Sequence, residues 1–118
     1  MTFSDAVQTV LMRNYANFQG RAGRPEFWWF MLALTIASLA ATLIDDYLIN
    51  APVFEAIVTL GTIVPSLSVG VRRLHDTDRS GWWQLIGVIP LIGVIVLIVF
   101  WVTAGTPGPN RFGNPPVS

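Results

Sequence analysis

The chain has 118 residues, of which 53% are hydrophobic and only 12% are charged, and its formal net charge is zero. Soluble domains usually carry about 25% charged residues, so this composition indicates a membrane protein. A net charge of zero creates no overall field that attracts nucleic acid, and we expect no nucleic-acid partner. Because the chain has no cysteine and a single histidine, we expect neither a metal site nor a cofactor.

The first predicted element is an amphipathic helix over residues 4–18. Apolar side chains recur at helical spacing between Phe3 and Phe18, and Ser4 is placed to cap the start of the helix. A helix of this kind is typical of the membrane interface, where its apolar face enters the lipid. The alternative is a short soluble helix that packs on the membrane spans.

Three apolar runs without any charged residue follow, over residues 27–44, 56–71 and 85–103. About 20 apolar residues are needed to cross the hydrocarbon layer. We therefore predict an all-α membrane protein in which the interfacial helix precedes three transmembrane helices, over residues 27–46, 53–73 and 82–104. Pro90 and Gly93 interrupt the third run, and the alternative there is a re-entrant hairpin that returns to the side from which it entered.

The positions of the arginines predict the orientation of these spans. Three arginines precede the first span and three lie in the loop after the second, whereas the loop after the first span has none. The positive-inside rule places the N-terminus and the second loop in the cytoplasm, and the first loop and the C-terminal tail outside. The tryptophan pairs at 28–29 and 82–83 are then expected at the cytoplasmic interface, and Trp101 near the outer one.

Polar residues inside and beside the spans each allow two interpretations. Asp45 and Asp46, in the first loop, either hold a cation or mark the solvated end of a helix. Pro65, in the second span, removes the helical hydrogen bond to the carbonyl of Gly61. Such freed carbonyls either line a cavity or are satisfied by neighbouring side chains.

The segment 71–83 is the most polar part of the chain. If the second helix continues through it, Arg72, His75 and Asp76 share one face, and Arg73 reaches Asp76 three residues on. This cluster is interpreted as a structural lock to Arg21, Arg24 and Glu26, as a site for a lipid or ligand phosphate, or as a catalytic group that includes Ser80. The candidate site residues are Arg21, Arg24, Glu26, Arg72, Arg73, His75, Asp76 and Arg79.

Five motifs in this order resemble the family called domain of unknown function 805. They are Gly20-Arg21-x-x-Arg24-x-Glu26-Phe27-Trp28, Arg72-Arg73-Leu74-His75-Asp76, Arg79-Ser80-Gly81-Trp82-Trp83, Ile89-Pro90-x-x-Gly93 and Gly105-Thr106-Pro107-Gly108-x-Asn110-Arg111-Phe112-Gly113. The resemblance implies a small multi-pass protein of the bacterial inner (plasma) membrane and brings no activity with it. Asp78 stands where the family often has glycine.

The turn-rich tail, residues 105–118, matches the last of these motifs. On composition alone the tail resembles a poorly ordered end, but the resemblance implies that it is ordered against the helix ends. Asn110 and Arg111 are therefore added to the candidate residues.

Three functions are compatible with this sequence. The one we expect is a non-enzymatic module that binds anionic lipid, or a partner membrane protein, through cytoplasmic arginine clusters. The alternative is a subunit of a homo-oligomeric channel or transporter, and the third is an enzyme acting on a lipid phosphate. The expected partners are membrane lipids, and in addition a second copy of the chain or another membrane protein.

Overall fold

The structure is a computed structural model that describes residues 1–116; the last two residues of the predicted tail lie outside the described residues. Its regular elements are helical, as predicted. They are α1 (Phe3–Gln8), continued by a π-helical turn (Thr9–Arg13); α2 (Arg24–Ile44), continued by a second π-helical turn (Asp45–Ile49); α3 (Val53–Asp76); a 3₁₀ segment (Gly81–Val88); and α4 (Ile92–Val102).

Two helices are long and apolar enough to cross a membrane. α2 with its π-helical turn has 26 residues and α3 has 24. At about 1.5 Å per residue, both exceed the roughly 30 Å of hydrocarbon in a bilayer. Only 17% and 22% of their most apolar stretches are buried within the protein, so most of this apolar surface is left for lipid to cover. α3 extends three residues beyond the predicted span and places Asp76 in its last turn.

The third predicted span, residues 82–104, is not one helix. The 3₁₀ segment ends at Val88, the chain turns at Pro90 and Leu91, and α4 returns along the 3₁₀ segment. α4 has 11 residues, which is about 16 Å and half of a crossing. Two helices of span length and a hairpin therefore stand where three continuous helices were predicted, and the hairpin has the shape of the re-entrant alternative. Proline supplies no amide for a continuous helix, which favours the turn.

The hairpin also reverses the predicted position of the tail. The amide of Thr106 donates a 2.7 Å hydrogen bond to the carbonyl of Asp76, at the end of α3. Trp101, expected near the opposite interface, has its ring centroid 4.9 Å from that of Phe27. The N-terminal segment and the tail thus lie at the same end of the helix pair, whereas the sequence predicted them on opposite sides of the membrane.

Glycines allow the hairpin to fold back and to pack on α3. A Cβ atom at Gly93 would collide with the backbone carbonyl of Ile86, on the other arm of the hairpin. A Cβ at Gly70 of α3 would collide with the side-chain amide of Gln84, which donates a 3.2 Å hydrogen bond to the carbonyl of Leu67. The close contact within the hairpin therefore requires Gly93, whereas at Gly70 the flexible end of the Gln84 side chain has to move.

The N-terminal helix packs on both spans. It begins at a capping box formed by Thr2 and Asp5, rather than at Ser4, and its last turn ends at Arg13 instead of residue 18. Val10 is fully buried in a core cluster with four other residues, Ala22, Phe27, Phe30 and Val69. Met12 points away from this core and is 79% exposed. The helix is thus joined to the spans, and its exposed side carries Phe3 and Met12 together with polar residues, namely Ser4, Asp5, Gln8 and Arg13.

The carbonyl that Pro65 releases does not line a cavity. The hydroxyl of Tyr15 donates a 2.7 Å hydrogen bond to the carbonyl of Gly61. One turn further on, the hydroxyl of Ser68 donates to the carbonyl of Pro65 at 3.0 Å. The alternative that neighbouring side chains satisfy α3 at its proline is confirmed, and the main sequence argument for a channel is lost.

Candidate functional site

The end of the helix pair where α2 begins and α3 stops is called the arginine end, because all seven arginines are in the segments that meet there. Asp76 is at its centre. Its carboxylate accepts hydrogen bonds from Nε of Arg21 at 2.9 Å and from Nη1 of Arg73 at 2.6 Å. The three side chains are at most 5% exposed. The predicted contact between Arg73 and Asp76 is confirmed, and Arg21 completes what we call the buried lock.

Arg21 fastens the tail to the buried lock. Its guanidinium donates to the carbonyls of Thr106 at 2.6 Å, Gly108 at 2.7 Å and Gly113 at 3.2 Å. Gly105 passes so close to Asp76 that a Cβ atom there would collide with the carboxylate. The turn residues of the tail therefore present their carbonyls to one buried cation, and the expected ordering of the tail over residues 105–116 agrees with the structure.

Arg73 fastens the end of α4. It donates to the carbonyl of Trp101 at 2.9 Å and to that of Thr103, and Nη1 also reaches the carbonyl of Ala22 at 3.3 Å. The last carbonyls of a helix lack partners within the helix and carry partial negative charge. A guanidinium at this position satisfies them and opposes that charge, so the return of the hairpin depends on Arg73.

A second buried ion pair joins α3 to the first turn of α2. Arg72 and Glu26 are in direct contact, and their side chains are 2% and 6% exposed. Glu26 is also well placed in the first turn of α2, where the helix dipole favours negative charge. Among residues 1–116, Nε and Nη2 of Arg72 have no hydrogen-bond partner. This guanidinium therefore depends strongly on Glu26.

His75 contributes to packing in this arrangement. Its Nδ1 lies 2.9 Å from the carbonyl of Gly20, and because a carbonyl only accepts, Nδ1 carries the proton. The imidazole stacks on the ring of Phe112 with centroids 3.9 Å apart. The hydroxyl of Ser80 accepts from the amide of Trp82 at 3.3 Å and so caps the 3₁₀ segment. Within the described chain, no hydrogen bond connects His75 with Ser80, so the catalytic interpretation has no supporting geometry.

The two predicted tail residues contact the turn that follows α3. The side-chain amide of Asn110 donates to the carbonyl of His75 at 2.9 Å, and Nε of Arg111 donates to Asp78 at 3.1 Å. The hydrogen bond from Arg111 holds the pKa of the Asp78 carboxyl below its usual value. Asp78 has φ of 59°, a conformation that glycine adopts without strain. The positive φ explains why glycine, which has no side chain, suits the position of Asp78.

Arg24 and Arg79 do not join the buried lock, although both were candidate residues. The guanidinium of Arg79 lies 4.1 Å from the ring centroid of Phe100 and holds the turn against α4. Arg24 is exposed beside a groove of about 610 Å³, which is also lined by Trp28 and Trp29. Among residues 1–116 it pairs with no carboxylate, and its side chain makes one long hydrogen bond, 3.5 Å to the carbonyl of Val102.

Some partners of the buried lock were missed by sequence reasoning. They are backbone carbonyls of the tail and of α4, and the residue types there do not indicate that a carbonyl accepts from an arginine. The useful signal was the run of glycines and prolines after residue 104, which indicates a tight series of turns. Tyr15 was likewise assigned to the apolar face of a helix, and its hydroxyl was not considered as a donor.

Comparison with known proteins identifies the family of the chain. The family described as "Protein of unknown function (DUF805)" matches residues 15–114. The chain belongs to this family. It is 44% identical over 107 residues to "Inner membrane protein YhaI" of Escherichia coli (strain K12), which covers 90% of this chain and 91% of that protein.

Two further relatives come from the same organism. "Inner membrane protein YhaH" is 42% identical over 111 residues, or 90% of this chain and 92% of that protein. "Uncharacterized protein YiiR" is 30% identical over 128 residues, or 83% and 84% of the two chains. No solved structure matches the chain. With its apolar helices and these relatives, the protein is a bacterial inner-membrane protein.

Proposed function

We propose that the protein is a non-enzymatic membrane module that binds the phosphate group of an anionic phospholipid in the groove beside Arg24. The observation that carries the proposal is the difference between Arg24 and its neighbours. Arg21, Arg72 and Arg73 form buried ion pairs, whereas Arg24 is exposed and, within residues 1–116, has no carboxylate partner. An arginine in this state offers the planar pair of donors that suits phosphate oxygens.

The surroundings of Arg24 favour a lipid as the source of the phosphate. Trp28 and Trp29 line the same groove, and tryptophan is enriched where membrane hydrocarbon meets the headgroups. Gly23 and Pro25 also line it, so the groove lies at the N-terminal end of α2, which carries partial positive charge. The groove therefore combines cationic groups with side chains suited to headgroup depth.

The distribution of charge supports a cytoplasmic position for the arginine end. Seven arginines and four carboxylates leave this end with a net charge of +3, while the opposite end holds only Asp45, Asp46 and Glu55. The positive-inside rule then directs the arginine end to the cytoplasm. Anionic lipids there attract each basic residue near the surface by about 1 kcal/mol. This orientation retains the predicted cytoplasmic N-terminus and moves the tail to the same side.

The test compares two arginines of equal charge at the same end. Arg24→Gln removes the exposed guanidinium, and Arg111→Gln removes the one that pairs with Asp78 on the surface. The protein is placed in nanodiscs that contain phosphatidylglycerol, and the lipid retained after release is measured by native mass spectrometry. We expect Arg24→Gln to lose bound phosphatidylglycerol and Arg111→Gln to keep it. Equal retention by Arg24→Gln and the unmodified chain would contradict the proposal.

The choice of residue matters because the buried arginines cannot serve in this experiment. Substituting Arg21 or Arg72 removes one partner of a buried ion pair, which destabilises the fold by about 3–5 kcal/mol. A loss of lipid in those variants would then report unfolding. Arg24→Lys adds a check on the binding mode, because lysine keeps the charge but lacks the planar pair of donors. We expect this variant to retain less phosphatidylglycerol than the unmodified chain and more than Arg24→Gln.

A further inference from the structure

The re-entrant hairpin ends near the middle of the membrane. The 3₁₀ segment has eight residues and α4 has 11. At about 2.0 Å and 1.5 Å per residue, both arms are about 16 Å long. Their open end is fixed at the arginine end by Arg73 and Arg79. The closed end, residues 88–91, therefore lies roughly halfway through a hydrocarbon layer of about 30 Å.

The backbone is irregular at this closed end. Leu91 has φ of 64° and ψ of −65°, and the amide of Ile92 donates to the carbonyl of Pro90 at 2.7 Å, which is a three-residue γ-turn. Among residues 1–116, the carbonyl of Val88 accepts no hydrogen bond and the amide of Leu91 donates none. The two side chains are 79% and 73% exposed. The carbonyl of Val88 and the amide of Leu91 thus stand unpaired at an uncovered position, and the carbonyl of Gly87 and the amide of Val94 beside them have no partner in the described chain either.

Lipid cannot satisfy these two groups. Hydrocarbon tails contain no hydrogen-bond donor or acceptor, and an unsatisfied backbone group in hydrocarbon costs several kcal/mol. Non-helical backbone at this depth is accordingly tolerated where protein covers it or where it lines a water-filled cavity. No charged residue lies between positions 80 and 110, so the hairpin has little to attract water. Protein cover is the arrangement that fits an apolar surface with unpaired backbone donors and acceptors.

We propose that this cover is the hairpin of a second copy of the chain. Two copies with the same charge distribution enter the membrane in the same orientation, so a symmetric pair has its two-fold axis along the membrane normal. Across such an axis, the amide of Leu91 in each copy meets the carbonyl of Val88 in the other. The two hydrogen bonds of this symmetric contact then satisfy the carbonyl of Val88 and the amide of Leu91 in both copies. The uncharged hairpin also approaches its own copy without repulsion between like charges.

Cysteine cross-linking tests this contact directly, because the chain contains no cysteine of its own. Val88→Cys and Leu91→Cys place one thiol at the closed end of the hairpin. Ile36→Cys is the matched control, since Ile36 is 56% exposed on α2 and lies about 18 Å from its first residue, at a similar depth. We expect oxidation in native membranes to produce a disulfide-linked dimer from the two hairpin variants and none from Ile36→Cys. Equal cross-linking of all three, or none in the hairpin variants, overturns the proposal.

Native mass spectrometry of the unmodified chain gives an independent measure. The expected mass is that of a dimer. A monomer, or a ring of three or more copies, overturns the two-fold arrangement. The result is separate from the lipid proposal, because Arg24→Gln leaves the hairpin intact and the hairpin variants leave the Arg24 groove intact. A variant that loses lipid but stays dimeric, or one that loses the dimer but keeps lipid, therefore tests one proposal without affecting the other.

Discussion

Each end of the α2–α3 pair contains a buried aspartate, but the groups that the two aspartates bind lie at different distances along the chain. At the arginine end, Asp76 pairs with Arg21, 55 residues away, and Arg21 in turn binds carbonyls 85 to 92 residues away. At the opposite end, Asp45 accepts 2.9 Å hydrogen bonds from the amides of Phe54 and Glu55, nine and ten residues away. Both carboxylates are buried, at 4% and 3% exposure.

The difference lies in what each carboxylate stabilises. Asp45 satisfies amides that every helix N-terminus leaves without partners, so its role is that of a capping residue supplied from across a loop. Asp45 is buried and so does not mark a solvated helix end, whereas Asp46 beside it is exposed. Asp76 balances two buried cations, and these in turn hold the hairpin and the tail. A substitution at the arginine end should therefore affect more of the fold than one at the loop end.

The largest predicted effect follows from Asp76→Asn, which keeps the shape of the side chain and removes its charge. Arg21 and Arg73 are then buried without an anionic partner, and we expect a loss of about 3–5 kcal/mol in the free energy of unfolding. The measurement is chemical unfolding in detergent micelles. Limited proteolysis should also cleave the tail near residues 105–113 faster, because Arg21 no longer orders it.

Asp78→Asn is the matched control for that experiment. It makes the same chemical change two residues away, in a pair with side chains that are 42% and 65% exposed. Exposed ion pairs contribute little because water screens them. We expect the unfolding midpoint of this variant to remain close to that of the unmodified chain. Similar losses in the two variants would show that Asp76 is not the centre of the arginine end.

The next effect in size is that of Asp45→Ala at the loop end. The amides of Phe54 and Glu55 lose their acceptor, and capping residues of this kind contribute about 0.5–2 kcal/mol. The effect should be confined to the first turn of α3, so hydrogen exchange at residues 53–56 should accelerate while the tail stays protected. Faster exchange in the tail would contradict the separation of the two ends.

This comparison also explains how much the sequence could reveal. Local relations were predicted correctly: Arg73 and Asp76 lie three residues apart on one helix, and the apolar runs of α2 and α3 have the length of a span. The sequence also suggested that the cluster at residues 72–76 is locked to the N-terminal segment. Arg21 and Glu26 make the ion pairs of such a lock, whereas Arg24 stays outside it. Which arginine stays outside depends on three-dimensional packing that no spacing rule describes.

The hairpin shows where the sequence argument fails for a physical reason. An apolar run of 19 residues satisfies the length criterion whether it crosses once or enters and returns, because both arrangements are surrounded by lipid. Pro90 and Gly93 favoured the return, but proline also occurs within complete spans. The deciding contacts are made by Arg73 with the carbonyls at the end of α4, those of Trp101 and Thr103. These contacts join segments about 30 residues apart, so they cannot be predicted from the composition of the apolar run.

A smaller effect is expected for Tyr15→Phe, which removes one hydroxyl near Pro65. The carbonyl of Gly61 then has no donor, and one hydrogen bond contributes about 0.5–1.5 kcal/mol. Tyr47→Phe is the control, since Tyr47 is 78% exposed and its hydroxyl makes no hydrogen bond within residues 1–116. We expect Tyr15→Phe to unfold at a lower denaturant concentration than Tyr47→Phe. If Tyr15→Phe is as stable as the control, the kink in α3 does not need the N-terminal segment.

The smallest effect is the pH dependence of the surface pair formed by Asp78 and Arg111. Their hydrogen bond lowers the pKa of Asp78 in the folded protein relative to the unfolded chain. A lowered folded pKa stabilises the fold at pH values above the unfolded pKa of about 4. The contribution disappears as the pH falls through the folded pKa and Asp78 takes up a proton.

Asp78→Asn removes this contribution, so between pH 6 and pH 3 the unfolding midpoint of the unmodified chain should fall slightly further than that of the variant. The tail should remain protected from protease in both proteins at neutral pH, because Arg21 rather than Arg111 holds its carbonyls. Release of the tail in Asp78→Asn at neutral pH would place its anchor at the surface pair and contradict the comparison between the buried lock and its exposed neighbour.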